Sequence, residues 1–426
     1  MSPNRRNKEG LLARVNFPLY VVKMITNHHI LVAGGGGSSK TGVANGFEIF
    51  ELSHDGEKYV AEEVIRHETG PSVVMNCASY NNGKRTFLVA GQESHCQLYT
   101  VNMKVEYEND GTVLKDHKNE TVSSRKRGTD PHEKIQEIKP TKEKTDRNSN
   151  SFHRLVFDIK PNDSIQTDFG DDEPLQRVVR ISLSGKLMAT GGTDGHIRLW
   201  QFPSLRKHFD IAAHKKEIDD IDFNPDETMV LSVSKDGLAV IWSTQTGKKL
   251  SELKWNAPEN VKYLYKRCRF GTTEGNSKNS CLFTLSNPFG KAGKLKSYLQ
   301  KWDPAEATLK KSFEFDESLS ALSVSDDGKF VAVGTMFSGS VHIHIAFSLQ
   351  QVLNVQGVHN MFVTGLEFLP SDCLGGYETA VISISVDNRV CIHHVPFRST
   401  IPLWLAVLLV VITLVLTFML CSFLGL

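Results

Sequence analysis

One alternation recurs along most of the chain: an apolar run, a turn of small or polar residues, then a second run in which apolar and polar positions alternate. A period of two marks a strand with one buried face, so each recurrence predicts a pair of strands. Leu187 to Trp200 and Met229 to Trp242 carry it most plainly. Each has Asp-Gly at its turn, a strong hairpin signal, and each ends in Trp. Weaker copies run Ile30 to Leu52, Thr86 to Val101, Cys281 to Asp303, Phe330 to Phe347 and Thr379 to Val395, which makes seven. Further strands precede several copies, at Ile218 to Phe223, Leu319 to Val324 and Val363 to Phe368.

Uninterrupted copies follow one another at about 40–45 residues, the period of WD repeats. Seven such units predict an all-β fold, a seven-bladed WD-repeat β-propeller of four-stranded blades. The Trp residues that end the copies are read as side chains packed between blades rather than as ligand contacts. Asp219 and Asp220, five and six residues after His214, are expected to join a His-Asp-Ser/Thr-Trp polar network. No alternation of helix and strand supports an α/β fold.

Two stretches break the pattern. From Lys104 to Asn150 the chain is rich in Lys, Glu, Asp, Asn and Thr and almost without aromatics. Such a composition does not bury enough apolar surface to order itself, so a disordered insertion is expected between blades two and three. Its Ser123-Ser124-Arg125-Lys126-Arg127 is read as a solvated charge run. Ile401 to Leu424 carries no charge and has the length, about 20 residues, that a membrane-spanning helix needs. The expected organisation is therefore a body over residues 1–398, a linker ending at 399–400, a transmembrane helix over 401–424 and a luminal tail at 425–426. Arg398 precedes the span, which places the body in the cytosol by the positive-inside rule. The polar opening Met1 to Gly10 is expected not to be a secretory signal. With that topology the sequons at Asn119 and Asn162 have no meaning.

Composition narrows the function classes. The net charge of +1 gives no field that would attract nucleic acid, and none is expected as a partner. The seven cysteines are odd in number, scattered and without a C-x-x-C. That pattern suits a reducing compartment and argues against a disulfide framework or a zinc site. There is no G-x-S-x-G elbow and no Cys-His signature. His342 with His344, the pair His393-His394 and the pair His28-His29 lack a third converging ligand and are read as satisfied or exposed histidines. Covalent chemistry is not expected.

The glycine-rich stretch Ala33 to Phe50 stands apart. Gly34, Lys40 and Thr41 imitate a phosphate-binding loop, but Ser39 occupies the place of its second glycine. The flanks decide the matter. A phosphate-binding loop opens a helix, whose N-terminal amides hold the anion, whereas Gly46 to Leu52 alternates like a strand. The loop is a protruding strand-to-strand connection, the kind that binds a partner.

With that loop, Thr69 to Ala78, Ala90 to Tyr99, Leu187 to Leu205, Cys268 to Gly271, Gly339 to Gln350, Val363 to Pro370 and the terminal span, the chain resembles one family. These are the membrane-anchored WD-repeat exchange factors for the small GTPase that initiates COPII coats, the prolactin regulatory element-binding protein family. The resemblance covers nearly the whole chain. It implies guanine-nucleotide exchange on a Sar-type small GTPase at the endoplasmic reticulum membrane, with other COPII assembly proteins as further partners. It also implies roles for residues. Gly34, Gly35, Gly36 and Gly37 would turn backbone carbonyls onto a potassium ion. Gly42, Val43 and Asn45 would contact the GTPase, with Val43 as an apolar probe and Asn45 as a polar contact. The turn at Thr69-Gly70-Pro71 would support this face, with Pro71 at the interface and Asn76 tying it down. The alternative is a non-catalytic, membrane-tethered WD-repeat scaffold for coat or cargo proteins.

Overall fold

A computed structural model describes residues 10–37, 42–108, 152–258, 261–273, 276–290, 295–397 and 403–424. Seven four-stranded antiparallel sheets account for nearly all of it. The inner strands are Leu19–Met24, Asn76–Asn81, Gln176–Ile181, Ile218–Phe223, Tyr263–Thr273, Leu319–Val324 and Val363–Phe368, for blades 1 to 7 in that order. Each packs against the next, and the seventh packs against the first. This is a closed, seven-bladed propeller. All seven predicted strand pairs are the second and third strands of a blade, such as Leu187–Gly192 with His196–Gln201 in blade 3.

Closure depends on the start of the chain. Leu11–Arg14 supplies the outer strand of blade 7, pairing with Arg389–Pro396. The register sets Ala13 opposite Val390 and Arg14 opposite Arg389. The Ile392 amide donates to the Gly10 carbonyl at 2.7 Å and the Val15 amide to the Asn388 carbonyl at 3.1 Å. Phe17, Leu19, Ile30, Ile382 and Ile384 then bury one apolar cluster across blades 7 and 1. Each such side chain contributes about 1.5–3 kcal/mol relative to exposure.

In blade 2 the third strand, His95–Glu108, runs on past Lys104 and is paired with Phe152–Gln166. Residues 104–108, which the composition assigned to the polar insertion, are therefore strand. The remainder of the insertion, with the sequence expectation of disorder, lies outside the described residues.

Three Trp side chains pack between blades and hand their indole N–H to a hydroxyl: Trp200 to Thr190 at 2.9 Å, Trp242 to Ser232 at 3.0 Å and Trp302 to Thr284 at 2.9 Å. In blade 4 the Ser232 hydroxyl donates to His214 Nε2 at 2.7 Å, and His214 Nδ1 donates to Asp236 at 3.1 Å. The carboxylate in this network is Asp236, in place of the expected Asp219 or Asp220. Those two sit on the inner strand and pair with the inner strands of the adjacent blades, Asp219 with Arg177 and Lys266, Asp220 with Arg180 and Arg269. Blade 7 repeats the network with His359, Ser383 and Asp387, but His393 occupies the place of the Trp, its Nε2 donating to Ser383 at 2.9 Å.

Two more of the sequence-predicted histidines are buried and bonded within the chain. His344 is fully buried, bonded to the Leu349 carbonyl at 2.9 Å and set against Phe313 and Phe315. His29 bonds the Thr26 hydroxyl at 2.8 Å. All seven cysteines are free thiols. Among the described residues no three His, Cys, Asp or Glu side chains gather as a metal site.

The helix Leu403–Leu424 has 22 residues. At 1.5 Å per residue it is about 33 Å long, enough to cross a hydrocarbon core of about 30 Å. Its apolar side chains are exposed all round, which water would not tolerate and lipid would. The basic residue at 398 and the linker end lie outside the described residues.

The His393 substitution has a pH consequence. Burial, helped by the neighbouring His359 and His394, pushes its pKa down to about 3. An unfolded histidine titrates near 6.5, so stability is complete above that pH and falls as pH drops towards 3. At pH 5 the loss amounts to about 2 kcal/mol. His393→Trp, the residue found here in blades 3 to 5, is expected to remove that part of the loss between pH 7 and pH 5. Urea titrations of both proteins at the two pH values measure it.

Candidate functional site

The glycine-rich stretch connects the second and third strands of blade 1, His29–Gly34 and Gly46–His54. A strand follows it, so no helix N-terminus is present to hold a phosphate. Residues 38–41, including Lys40 and Thr41, lie outside the described residues. Both ends of the loop are close-packed. A Cβ on Gly34 would lie 1.9 Å from the Pro18 carbonyl oxygen, and one on Gly46 would lie 2.3 Å from that of His67. Gly35 has φ +143° and faces Asn45 so closely that a Cβ would lie 2.0 Å from the Asn45 Oδ1. Only glycine fits these places.

Asn45 is the centre of the site. It is 6% exposed. Its Oδ1 accepts from the Gly37 amide at 2.9 Å, and its Nδ2 donates to the carbonyls of Gly70 at 3.0 Å and Gly37 at 3.3 Å. Its own carbonyl accepts from the Thr69 amide at 3.0 Å, and the Thr69 hydroxyl donates to the Ser72 carbonyl at 3.0 Å. One side chain thus fastens the glycine loop to the turn at Gly70 and Pro71. The role expected for Asn45 changes accordingly. Its carboxamide is bonded within the chain, so it positions the loop.

Below the latch the support is rigid. Phe47 is fully buried, edge-on to Tyr99 at 5.2 Å and stacked on His67 at 6.0 Å. Gln92 donates to the Tyr99 hydroxyl at 2.9 Å. Next along the strand, Glu48 is buried and paired with Arg66 at 2.5 Å; burial raises its pKa, which Arg66 only partly offsets.

The other expected residues divide. Gly42 and Pro71 are exposed, and Gly42 has φ +77°. They stand free for a partner. Val43 is half-buried and packs against the apolar cluster of blades 7 and 1, so it anchors the loop and does not project as a probe. Asn76 does not tie down the turn. It exchanges hydrogen bonds with Gln176 of blade 3, donating to the carbonyl at 2.8 Å and accepting from Nε2 at 2.8 Å. At the glycines expected to hold potassium, two positions are engaged within the chain. Gly34 is a strand residue between Leu19 and Gly46, and the Gly37 carbonyl already accepts from Asn45.

Comparison with known proteins settles the family. Residues 169–201 and 205–243 match the WD domain, G-beta repeat. Two proteins named guanine nucleotide-exchange factor SEC12, from Mus musculus and Rattus norvegicus, are each 34% identical over 423 residues, 96% of this chain and 96% of their own. The chain belongs to the SEC12 guanine nucleotide-exchange factor family. SEC12-like protein 1 of Arabidopsis thaliana is 28% identical over 203 residues, 46% of this chain and 47% of its own. With the apolar terminal helix, the family makes this a membrane-anchored exchange factor with a small GTPase as partner.

Sequence reading found the loop but missed what holds it. Pro18 and Arg66 lie in no motif, Phe47 and Tyr99 lie in motifs that do not show their packing, and the contacts of all four arise from strand pairing and blade stacking. A direct check of the latch is amide exchange. Asn45→Ala removes the acceptor of the Gly37 amide, and Gly35→Ala displaces it. At about 1 kcal/mol for such a bond, Gly37 is expected to exchange roughly fivefold faster in either variant, while the strand amides of blade 4 keep their protection.

Proposed function

We propose that the chain accelerates release of GDP from a Sar-type small GTPase on the cytosolic face of the endoplasmic reticulum membrane, and so starts COPII coat assembly. The observation that carries the reading is the Asn45 latch, which fastens the root of the glycine-rich loop at Gly37 to the turn at Gly70 and Pro71. Gly42 and Pro71 are the residues assigned to the GTPase. Exchange requires no covalent step from the factor. It requires tighter binding to the empty GTPase than to the filled one, since a ligand shifts an equilibrium only by its differential affinity. By reciprocity incoming GTP weakens the grip and frees the factor. A loop ordered before contact spends less entropy on binding, leaving more free energy to hold the GTPase in its open, empty form.

The anchor fits the same task. Blade 7 ends at Pro396 and the helix begins at Leu403, so the short connection keeps the propeller near lipid. A GTPase that exposes an amphipathic helix on activation would meet its membrane at once.

The test is GDP release from the GTPase, followed by a fluorescent nucleotide, with the full chain reconstituted in liposomes. The native protein is expected to accelerate release. Asn45→Ala and Gly35→Ala are each expected to slow it by about tenfold, the scale of one or two lost hydrogen bonds. Because both act on one latch, the double variant should be about as slow as either single one. No acceleration by the native protein would refute the reading, and fully multiplicative losses would refute the latch.

A further inference from the structure

The propeller's channel is electrically lopsided, and the mouth on the glycine-loop face has more positive charge than its own carboxylates match. That mouth is a cavity of about 300 Å³ at the start of the inner strands. Tyr20 on its wall follows Leu19, which pairs with Gly34, and Met75 on its rim follows the turn fastened by Asn45. Three cationic side chains line it, Arg177, Lys266 and Arg267, around the single carboxylate of Asp219. Asp219 is already shared, at 3.0 Å with Arg177 and 3.3 Å with Lys266. Arg177 also reaches Glu217 at 3.1 Å, but Lys235 holds that carboxylate at 2.6 Å.

Arg267 is the group left over. Its guanidinium donates to two backbone carbonyls, those of Asp219 at 3.2 Å and Lys266 at 3.0 Å, and has no carboxylate within ion-pair distance among the described residues. Burial and the charge of Arg267 together lower the pKa of Lys266. The opposite mouth differs. There Lys23 meets Glu367 at 2.6 Å, and Arg180 and Arg269 face Asp220 and Asp222.

We propose that the mouth on the glycine-loop face binds a phosphate dianion, free or as a small phosphomonoester, between Arg267, Lys266 and Arg177. The chemistry matches on three points. A guanidinium offers a planar fork to two phosphate oxygens. A dianion equals the local excess of positive charge left once Asp219 and the Glu217–Lys235 pair are counted. The volume suits a small phosphomonoester, with Tyr20, Met75 and Phe362 on the wall beside the basic groups.

Calorimetric titration of the full chain in detergent micelles tests this, with inorganic phosphate and glucose 6-phosphate as separate titrants. Chloride holds ionic strength constant. One saturable site is expected for the native protein, and Arg267→Gln should weaken it at least tenfold. Arg267→Lys keeps the charge but loses the fork, and should weaken it several-fold; it keeps the test open if the Gln variant fails to fold. Tighter binding of the sugar phosphate would assign the site to monoesters, and equal binding to free phosphate. No saturable heat with either titrant, or unchanged affinity in both variants, would overturn the proposal. So would loss of GTPase binding by Arg267→Gln in a protein that takes up no phosphate, which would give the mouth to an acidic side chain of the partner.

Discussion

Everything in the body depends on one strand pairing made by residues far apart in the chain. Leu11–Arg14 beside Arg389–Pro396 turns seven sheets in sequence into a ring. Without it blade 7 would keep an unpaired edge, a liability that sheet proteins seldom leave exposed. The apolar cluster shared by blades 7 and 1 would open as well. Blade 1 carries the glycine loop, so the closure that seals the ring also steadies the wall from which the loop projects. Val43, leaning on that cluster, links the two directly.

The polar groups follow the same logic of place over identity. Blades 4 and 7 use nearly the same four-residue network, His214, Asp236, Ser232 and Trp242 in one, His359, Asp387, Ser383 and His393 in the other. A neutral imidazole can present an N–H where the indole does, which is why the exchange of Trp for His preserves the bond to serine. It also introduces a group that titrates. On the inner strands, by contrast, acids and bases from adjacent blades pair with one another, and the residual charge collects at one mouth.

At the exchange face the useful distinction is between residues that hold and residues that are offered. Asn45 satisfies its carboxamide within the chain, as a buried polar side chain must, and thereby presents Gly42 and Pro71 together. A glycine run serves this arrangement through close approach: Gly34, Gly35 and Gly46 leave no room for a side chain at the loop's root. The result is a surface assembled from a connection within blade 1 and the link from blade 1 to blade 2.

Much of this was written in local pattern. Alternation with period two, Asp-Gly turns and terminal Trp residues determined the seven strand pairs, because strand geometry and hairpin turns are properties of a few neighbouring residues. The uncharged run from Ile401 to Leu424 determined a membrane anchor in the same way, since bilayer thickness sets its length. Only the tertiary structure decided which Asp joins His214, that residues 104–108 continue a strand, and that Asn45 bonds Gly37 and Gly70. Nor does any spacing reveal that Arg267 has no carboxylate within ion-pair distance among the described residues while Arg180 has two. These are contacts between blades and between loops, set by ring closure and by which side chains burial forces together, and separation along the chain does not encode them.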